Sequence, residues 1–371
     1  MVKRKQEVED FIDELTASQD DAEAQQVEYR SAAEFERVKR KANAVAKELR
    51  DTLEENERLK IALDMVTTVE AGHTKAPAWA QPPKSSKEHR AIPSLMLSDL
   101  HLDEVVDPFE VEGLNAYDRD IAELRLGKVF TKAIETSRDY LSGVKYDGAY
   151  LFLGGDIISG WIHEELTETN ADTVPGTVDY WLDPLAAGIG MMADHFGKLH
   201  ISGVVGNHGR VTRKPRAKKR VRDNIDWLIY RMLMRDFRND NRITWQIPES
   251  ADCAVKIYDT NFLMTHGDQF KGGSGIAGAL SPLFLGQHRK ARRQMILDRP
   301  FDHLIMGHWH MYWAGRGLLV NGSTKGIDEY AYQGNFDYDP PKQAMWLTTP
   351  EHGVTMSWPI FAQADRKKEG W

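Results

Sequence analysis

Short apolar runs that end in polar clusters recur along the chain from residue 91 onward. The runs are rich in Val, Ile, Leu and Phe, which is typical of buried strands. Helical stretches such as residues 118–140 and 225–237 lie between them, and this alternation predicts an α/β or layered α+β domain. The strands predicted before polar clusters span residues 94–97, 149–153, 199–205, 262–264 and 303–306, and later runs at 317–320, 344–348 and 354–360 are expected to complete the sheet.

The first 70 residues have a different pattern, being rich in Glu, Lys, Arg and Ala and free of Pro and Gly. From Phe35 a seven-residue repeat places mostly apolar residues at its a and d positions, with charged flanks, as in a coiled coil. Asn56 at an a position is expected to fix the register and the number of strands. The segment therefore predicts a coiled coil that joins copies of the chain into a homo-oligomer. The alternative is one long helix that packs on its own domain.

Between these two regions, residues 71–90 contain three prolines and a polar run, which are typical of a linker. The predicted organisation is therefore a helical, coiled-coil segment over residues 1–70, a linker over 71–90 and one domain over 91–371.

Composition limits the class of protein. The formal net charge is −8, so any affinity for nucleic acid must come from a local patch. Cys253 is the only cysteine, which excludes a disulfide framework and a thiolate zinc cluster. The N-terminus lacks the apolar core of a signal peptide, and no apolar run is long enough to span a membrane. A soluble, cytoplasmic protein without a membrane partner is expected.

Polar motifs that suit metal chemistry follow the predicted strands in a fixed order. They supply two carboxylates, one amide and five imidazoles, which two adjacent divalent ions could share. Two such ions about 3.5–4 Å apart can hold a phosphate and generate a hydroxide that attacks it, so a phosphate-ester hydrolase is predicted. The motifs are Ser98-Asp99-Leu100-His101, Gly155-Asp156, Gly206-Asn207-His208, Thr265-His266-Gly267-Asp268, Gly307-His308-Trp309-His310 and Asn321-Gly322-Ser323.

The spacing inside two motifs carries a geometric expectation. Asp99 and His101 are two residues apart, so on an extended segment they would point to the same side and reach one ion. The same argument covers His308 and His310. Glycines before three of the motifs are expected to allow close approach of the backbone. An isolated pair of this kind is usually a surface turn, but here the pairs follow strands in an ordered set.

The ordered set resembles the signature of the calcineurin-like metallophosphoesterase superfamily, over residues 93–323, and is most similar to its DNA repair exonuclease branch. The resemblance implies an α+β fold of two packed β-sheets flanked by helices. It implies two divalent metal ions, with Mn²⁺ expected and Fe, Zn, Ni and Mg as alternatives. One ion would be held by Asp99, His101, Asp156 and His310, and the second by Asp156, Asn207, His266 and His308.

The resemblance also implies a catalytic pair. A hydroxide that bridges the two metals shared by Asp156 would attack phosphorus, and His208 would contact the phosphate and protonate the leaving alkoxide. Many similar proteins carry Asp or Glu directly after Gly-Asn-His, where this chain has Gly209. A carboxylate partner for His208 must then come from elsewhere, and Asp103 and Asp268 are the candidates.

The strongest clue to the substrate directly follows His208. Eight of the thirteen residues from 210 to 222 are basic, in an otherwise acidic chain. This run is expected to bind a polyanionic backbone, with Arg210, Arg213 and Lys214 as candidate substrate contacts. The alternative is a solvated loop that pairs with the protein's own acidic surface. His163 is a further candidate contact, with a structural role as its alternative.

Two further segments are expected to shape the entrance. The glycine-rich loop at 271–278 is expected to act as a lid or wall. Acidic inserts at residues 103–117 and 163–183 are expected to roof the site, and they would repel DNA if they faced the entrance. Phosphodiester hydrolysis by a nuclease that acts on DNA is favoured. The alternatives are a phosphodiesterase for small or cyclic nucleotides, a protein phosphatase, and a non-catalytic coiled-coil scaffold.

Overall fold

The computed structural model describes residues 76–81, 88–271, 280–363 and 366–371. The predicted coiled coil, most of the predicted linker and the glycine-rich segment 272–278 lie outside the described residues. Residues 76–81 of that linker pack on the domain, because Ala80 is buried and the Trp79 ring lies 5.6 Å from the ring of Tyr150.

Twelve strands occur in the described residues, and most of the predicted runs form them. The predicted strand at 149–153 matches β3, and that at 303–306 matches β8. The strands are β1 (Arg90–Leu97), β2 (Lys145–Tyr146), β3 (Ala149–Leu153), β4 (Leu199–Gly203), β5 (Ile243–Gln246), β6 (Asp252–Ile257), β7 (Thr260–Thr265), β8 (His303–Met306), β9 (Trp313–Gly315), β10 (Leu318–Val320), β11 (Lys342–Thr349) and β12 (Gly353–Phe361).

Four of the helices in the described residues begin after a residue whose side chain caps them, namely Asp118, Thr173, Asn224 and Asp328. The predicted helix over 118–140 begins after Asp118, which accepts a hydrogen bond from Ile121 N, and ends in a π-helical turn, Thr136–Tyr140. The helices are α1 (Arg119–Glu135), α2 (Glu164–Thr169), α3 (Val174–Phe196), α4 (Ile225–Asp236), α5 (Leu280–Ile296), α6 (Glu329–Gln333) and α7 (Arg366–Glu369). None of the helices in the described part of the chain is both long and apolar enough to cross a membrane.

The strands form two mixed sheets. The first has the order β12-β11-β1-β3-β4-β5, with β2 beside β1, and its strands β1, β3, β4 and β5 are parallel. The second has the order β6-β7-β8-β10-β9, in which β7, β8 and β10 are parallel. Mixed sheets of this kind need cover on both faces.

Alternate residues of each strand pack on opposite faces of its sheet. Ile92 and Met96 of β1 lie in the core between the sheets, whereas Leu95 and Leu97 lie in the core beneath α1, α3 and α4. A third, smaller core joins the second sheet to α5 through Leu283. The predicted α+β fold of two packed β-sheets flanked by helices is therefore confirmed.

One expectation about the inserts is wrong. Residues 174–183 do not roof the site but form the first turns of α3, and Trp181 is buried in the core between that helix and the first sheet. The apolar positions of the segment fit this place, since Val174, Val178 and Leu185 share the buried face.

Helices α1 and α3 approach each other closely at one glycine. A Cβ at Gly188 would lie 2.1 Å from a ring carbon of Phe130. Gly188→Ala is therefore expected to lower the free energy of unfolding by about 1–3 kcal/mol, because the added methyl overpacks this contact. Urea unfolding followed by circular dichroism measures the change. The double variant Gly188→Ala/Phe130→Leu should recover part of the loss, and a wild-type urea midpoint for Gly188→Ala would show that the contact is not tight.

Candidate metal centre

The polar motifs meet at one edge of the sheets. Strands β1, β3 and β4 are parallel neighbours in the first sheet, and β7 and β8 are parallel neighbours in the second, so the carboxyl ends within each group lie together. The strands thus present the motif residues at one rim, as the sequence predicts. These residues are Asp99 and His101 after β1, Asp156 after β3, Asn207 and His208 after β4, His266 after β7, and His308 and His310 after β8.

Glycines allow the motif loops to touch. A Cβ at Gly155, where φ is 89°, would lie 2.2 Å from the backbone N of Gly206. A Cβ at Gly206 would lie 2.1 Å from Asp156 Oδ1, and one at Gly307 would lie 2.2 Å from Asp99 Oδ2. Any side chain at these positions would separate the loops, as expected for glycines placed before the motifs.

A first cluster consists of Asp99, His101 and His310, whose ligand atoms lie within 4.8 Å of one another. His101 Nε2 lies 3.1 Å from His310 Nε2, and His310 Nε2 lies 3.5 Å from Asp99 Oδ1. Asp99 is fully buried and accepts hydrogen bonds from the backbone N–H of His308, at 2.8 Å, and from the Ser98 hydroxyl. Two facing imidazole nitrogens beside a carboxylate form a donor set that a divalent ion can share.

A second cluster consists of Asp156, His266 and His308, again within 4.8 Å. His266 Nε2 lies 3.0 Å from Asp156 Oδ2 and 3.1 Å from Asn207 Oδ1. The other ring nitrogen, Nδ1, donates a hydrogen bond to the carbonyl of Gly154 at 2.8 Å. That bond directs Nε2 at the cluster, in the way that a hydrogen bond outside a metal site orients a ligating histidine.

Asp156 also groups with His101 and His208 within the same 4.8 Å limit. It therefore lies within reach of both clusters, which is where the resemblance places a shared carboxylate. The structure brings together all eight side chains that the motifs single out. The roles of seven of them as metal ligands, and of His208 as a phosphate contact, stay a prediction.

The extended backbone on which the spacing argument depends is wrong for both pairs, although Asp99 and His101 do lie in one cluster. Asp99 and His101 have φ values of 55° and 48°, and His308 and His310 have 68° and 49°, so neither pair lies on an extended segment. His308 and His310 consequently join different clusters, as the resemblance implies and the spacing argument does not. The backbone of Asp156 also has a left-handed conformation, with a φ of 53°. Non-glycine residues rarely adopt this conformation, and such strain concentrates at functional sites.

The electrostatics of the clusters favour a positive charge. Burial disfavours a charged His266, but the carboxylates of Asp156 and Asp99 outweigh it and raise the pKa of His266 to about 10. Burial lowers the pKa of His101 to about 3 and that of His308 to about 4, so both are neutral at pH 7, the form that binds metals. Buried carboxylates beside neutral imidazoles therefore fit divalent ions.

His208 is held by backbone groups. Its Nδ1 donates to the carbonyl of Ser159 at 2.8 Å, and its own backbone N–H donates to Asp156 Oδ1 at 2.6 Å. Burial lowers the pKa of His208, although the carboxylates of Asp156 and Glu104 oppose this shift. Because Nδ1 carries the proton of the neutral ring, Nε2 can donate only when the ring is protonated.

Neither carboxylate proposed as the partner of His208 has that role. Asp103 accepts a hydrogen bond from Arg119 at 2.8 Å, and Asp268 forms a two-point ion pair with Arg220 at 2.7 and 2.8 Å. Both expectations are wrong, because each carboxylate accepts hydrogen bonds from an arginine and the Nδ1 of His208 donates to a backbone carbonyl. A backbone carbonyl orients His208 in their place.

A buried ion pair beside the first cluster was not apparent from the sequence. Glu104 Oε2 lies 3.4 Å from His101 Nδ1 and accepts a hydrogen bond from the Ser159 hydroxyl at 3.1 Å. Its other oxygen lies 2.8 Å from Lys325 Nζ, and Lys325 also donates to Asp328. Glu104 lies in the first acidic insert, which is expected to roof the site. Its buried carboxylate does not face the entrance, so this residue does not fit that expectation. The only sequence signal is that Lys325 closely follows the Asn321-Gly322-Ser323 motif.

The candidate substrate contacts differ in their surroundings. His163 is exposed, with its ring 6.1 Å from that of His208. Arg210 donates to three backbone carbonyls at 2.9–3.1 Å, among them that of Asn207, and so supports its own loop. Arg213 forms an exposed ion pair with Glu164, and Lys214 is exposed.

The order of the motifs, the two packed sheets and the shared rim form the arrangement that the resemblance to the calcineurin-like metallophosphoesterases implies. No protein-family model matches the chain, and no curated protein sequence matches it.

Three solved structures show a distant likeness. A predicted phosphoesterase from Streptococcus pneumoniae TIGR4 is 13% identical over 72% of this chain and 97% of its own, with a TM-score of 0.26. Vps29 from Entamoeba histolytica is 13% identical over 72% of this chain and 99% of its own, with a TM-score of 0.27. A candidate 5′-nucleotidase from Staphylococcus aureus is 10% identical over 74% of this chain and 55% of its own, with a TM-score of 0.32. At these scores the fold assignment rests on the topology and the motifs.

The Glu104–Lys325 pair generates a prediction about stability. Lys325→Met should lower the free energy of unfolding by about 3–5 kcal/mol at pH 7, because two buried carboxylates lose their cation. Lys325 holds the pKa of Glu104 well below its ordinary value of 4.5, against the effect of burial. The pair therefore stabilises the protein above that pH, and the stabilisation is lost as the pH falls through the lower, folded-state pKa.

Urea unfolding at pH 7 and pH 4 measures this effect, and the gap between wild type and variant should narrow at pH 4. Lys132→Met is the matched control, because Lys132 pairs with Glu135 on the surface, where solvent screens the pair, so its loss should change the stability much less. Equal losses for the two variants would contradict the prediction.

Proposed function

We propose that the protein is a two-metal phosphodiesterase that cleaves nucleic acid, with Mn²⁺ as the metal. The observation that carries the proposal is the convergence of both clusters, Asn207 and His208 at one rim, directly beside the origin of the basic run. Asp99, His101, Asp156 and His310 would hold one ion, and Asp156, Asn207, His266 and His308 the other. Two bound divalent ions supply Lewis-acid polarisation of a phosphate and lower the pKa of water.

The side chains of the rim have separate tasks in this scheme. The Ser159 carbonyl keeps His208 in one orientation, with Nε2 available to the phosphate. As an imidazolium, His208 donates a proton to the leaving alkoxide, or a hydrogen bond that stabilises its charge. Burial lowers the pKa of His208, so its protonated donor form becomes populated at a lower pH than that of an ordinary histidine.

The basic run supports a polyanionic substrate. It leaves the rim at His208, and a bridge between Arg210 and Asn224 brings its two ends together. Three of its arginines pair with acidic residues, namely Arg213 with Glu164, Arg220 with Asp268 and Arg222 with Glu249. Four further basic residues are exposed and form no ion pair within the described part of the chain, namely Lys214, Arg216, Lys218 and Lys219. These exposed cations are the proposed phosphate contacts.

The test is Mn²⁺-dependent cleavage of end-labelled single- and double-stranded DNA. Asp156→Asn should lose both activity and bound metal, because it removes the carboxylate within reach of both clusters. His208→Ala should lower turnover by about 10²–10⁴-fold while metal content survives. Metal content measured by elemental analysis separates the two roles, and equal metal loss in both variants would contradict this division. Hydrolysis of a chromogenic phosphodiester without cleavage of DNA would favour the small-nucleotide alternative.

A second prediction concerns the exposed lysines. Changing Lys214, Lys218 and Lys219 to Gln should weaken DNA binding and reduce the slope of log affinity against log salt by about 2–3, since each lost contact with duplex DNA removes about 0.9. The matched control removes Lys145, Lys198 and Arg238. Lys145 begins β2, Lys198 directly precedes β4 and Arg238 lies in the turn before β5, so all three lie at the amino ends of strands, at the opposite edge of the sheet. Fluorescence anisotropy at several salt concentrations measures the slopes. Equal slopes for wild type and the lysine variant would exclude the basic run from the substrate site.

A further inference from the structure

Asp226 lies in the first turn of α4, outside the sequence motifs, with its carboxylate fully buried between two motif loops. One oxygen accepts hydrogen bonds from the backbone N–H of Asp156, at 3.0 Å, and of Gly206, at 2.9 Å. The other accepts the N–H of Ile157 at 3.1 Å. A single carboxylate therefore joins the loop after β3 to the loop after β4.

The residue that caps α4 reinforces this junction. Asn224 Oδ1 accepts the backbone N–H of Asp226 at 2.8 Å, and Asn224 Nδ2 donates to the carbonyl of Gly206 at 2.8 Å. The start of α4 thus provides both an acceptor and a donor to the Gly-Asn-His loop. Both contacts fix the backbone that carries Asn207 and His208.

The same contacts explain why residue 209 is glycine. A Cβ at Gly209 would lie 2.4 Å from Asn224 Oδ1 and 3.1 Å from the carboxyl carbon of Asp226. The space beside this position is therefore filled from α4. A carboxylate reaches the Gly-Asp loop here from a residue seventeen positions later in the chain (226 − 209).

Burying this carboxylate near that of Asp156 is unfavourable unless hydrogen bonds offset it. The three N–H donors do so, and hydrogen bonds to an ionised acceptor are stronger than neutral ones. An amide at residue 226 would retain one acceptor oxygen but would direct its NH2 group at a backbone N–H on the other side. The carboxylate is thus specifically suited to hold the two loops together.

We propose that Asp226 is a positioning residue that fixes Asp156 relative to Asn207 and His208. The inference rests on the proposed function for its effect on catalysis, but not for its effect on the loops. The Asp226 carboxylate accepts hydrogen bonds from backbone N–H groups, so it acts through the backbone of the loops after β3 and β4.

Asp226→Asn tests the proposal, with Asp236→Asn as the matched control at the exposed C-terminal end of the same helix. In the metal-free protein, hydrogen exchange should rise in peptides that cover 154–159 and 204–209 for Asp226→Asn alone. Mn²⁺ affinity, measured by calorimetry, should fall about 10–100-fold, the usual effect of removing a group that orients metal ligands. The kcat of any phosphodiester hydrolysis should fall with it, while KM changes less than about twofold, because the substrate contacts are untouched.

Wild-type exchange and wild-type Mn²⁺ affinity in Asp226→Asn would overturn the proposal. If that variant does not fold, Gly209→Ala replaces it, because the added methyl displaces Asn224 and Asp226 while the chain keeps the carboxyl group of residue 226. Unchanged exchange in Gly209→Ala would equally overturn it. Exchange and Mn²⁺ affinity need no substrate, so a protein that binds Mn²⁺ but cleaves no DNA refutes the proposed function alone.

Discussion

Two fully buried aspartates, Asp99 and Asp156, impose the constraint on which the rest of the centre depends. A buried carboxylate costs several kcal/mol unless hydrogen bonds or positive charge offset that cost. Backbone N–H groups of His308 and His208 supply part of the compensation, and they can reach the carboxylates only because glycines bring the loops together. The charge that remains explains the high pKa of His266 and the suitability of the site for cations.

The packing between the sheets sets the distance between the two halves of the centre. The first sheet contributes Asp99, His101, Asp156, Asn207 and His208, and the second contributes the three later histidines. Between the sheets, the ring of Phe262 lies 6.2 Å from that of Phe152 and 6.0 Å from that of Trp346. These aromatic residues determine how close the sheets approach, so they also fix the separation of the clusters.

The parts of the fold that could be predicted were those with a strong local signal. The apolar runs at 149–153 and 303–306 predict strands because a strand buried on both faces has a continuous apolar sequence. Strand β6 alternates buried and partly buried residues, so it lacks a continuous apolar run and is not predicted. The side to which His308 and His310 point could not be derived from spacing, because both have left-handed backbones. Asp226 could not be found from the sequence, since tertiary contacts rather than sequence proximity bring it to the motifs, and the only signal for Lys325 is its position just after the Asn321-Gly322-Ser323 motif.

The basic run is joined to the centre at both of its ends. It begins immediately after His208, and near its end Arg220 forms a two-point ion pair with Asp268, two residues after His266. The bridge between Arg210 and Asn224 adds a connection to the residue that caps α4. The exposed lysines between these points therefore belong to a loop that the metal-centre residues hold in place. In a phosphodiesterase, such a loop would bind the substrate backbone at a fixed distance from the reacting phosphate, which is the condition for efficient attack in line.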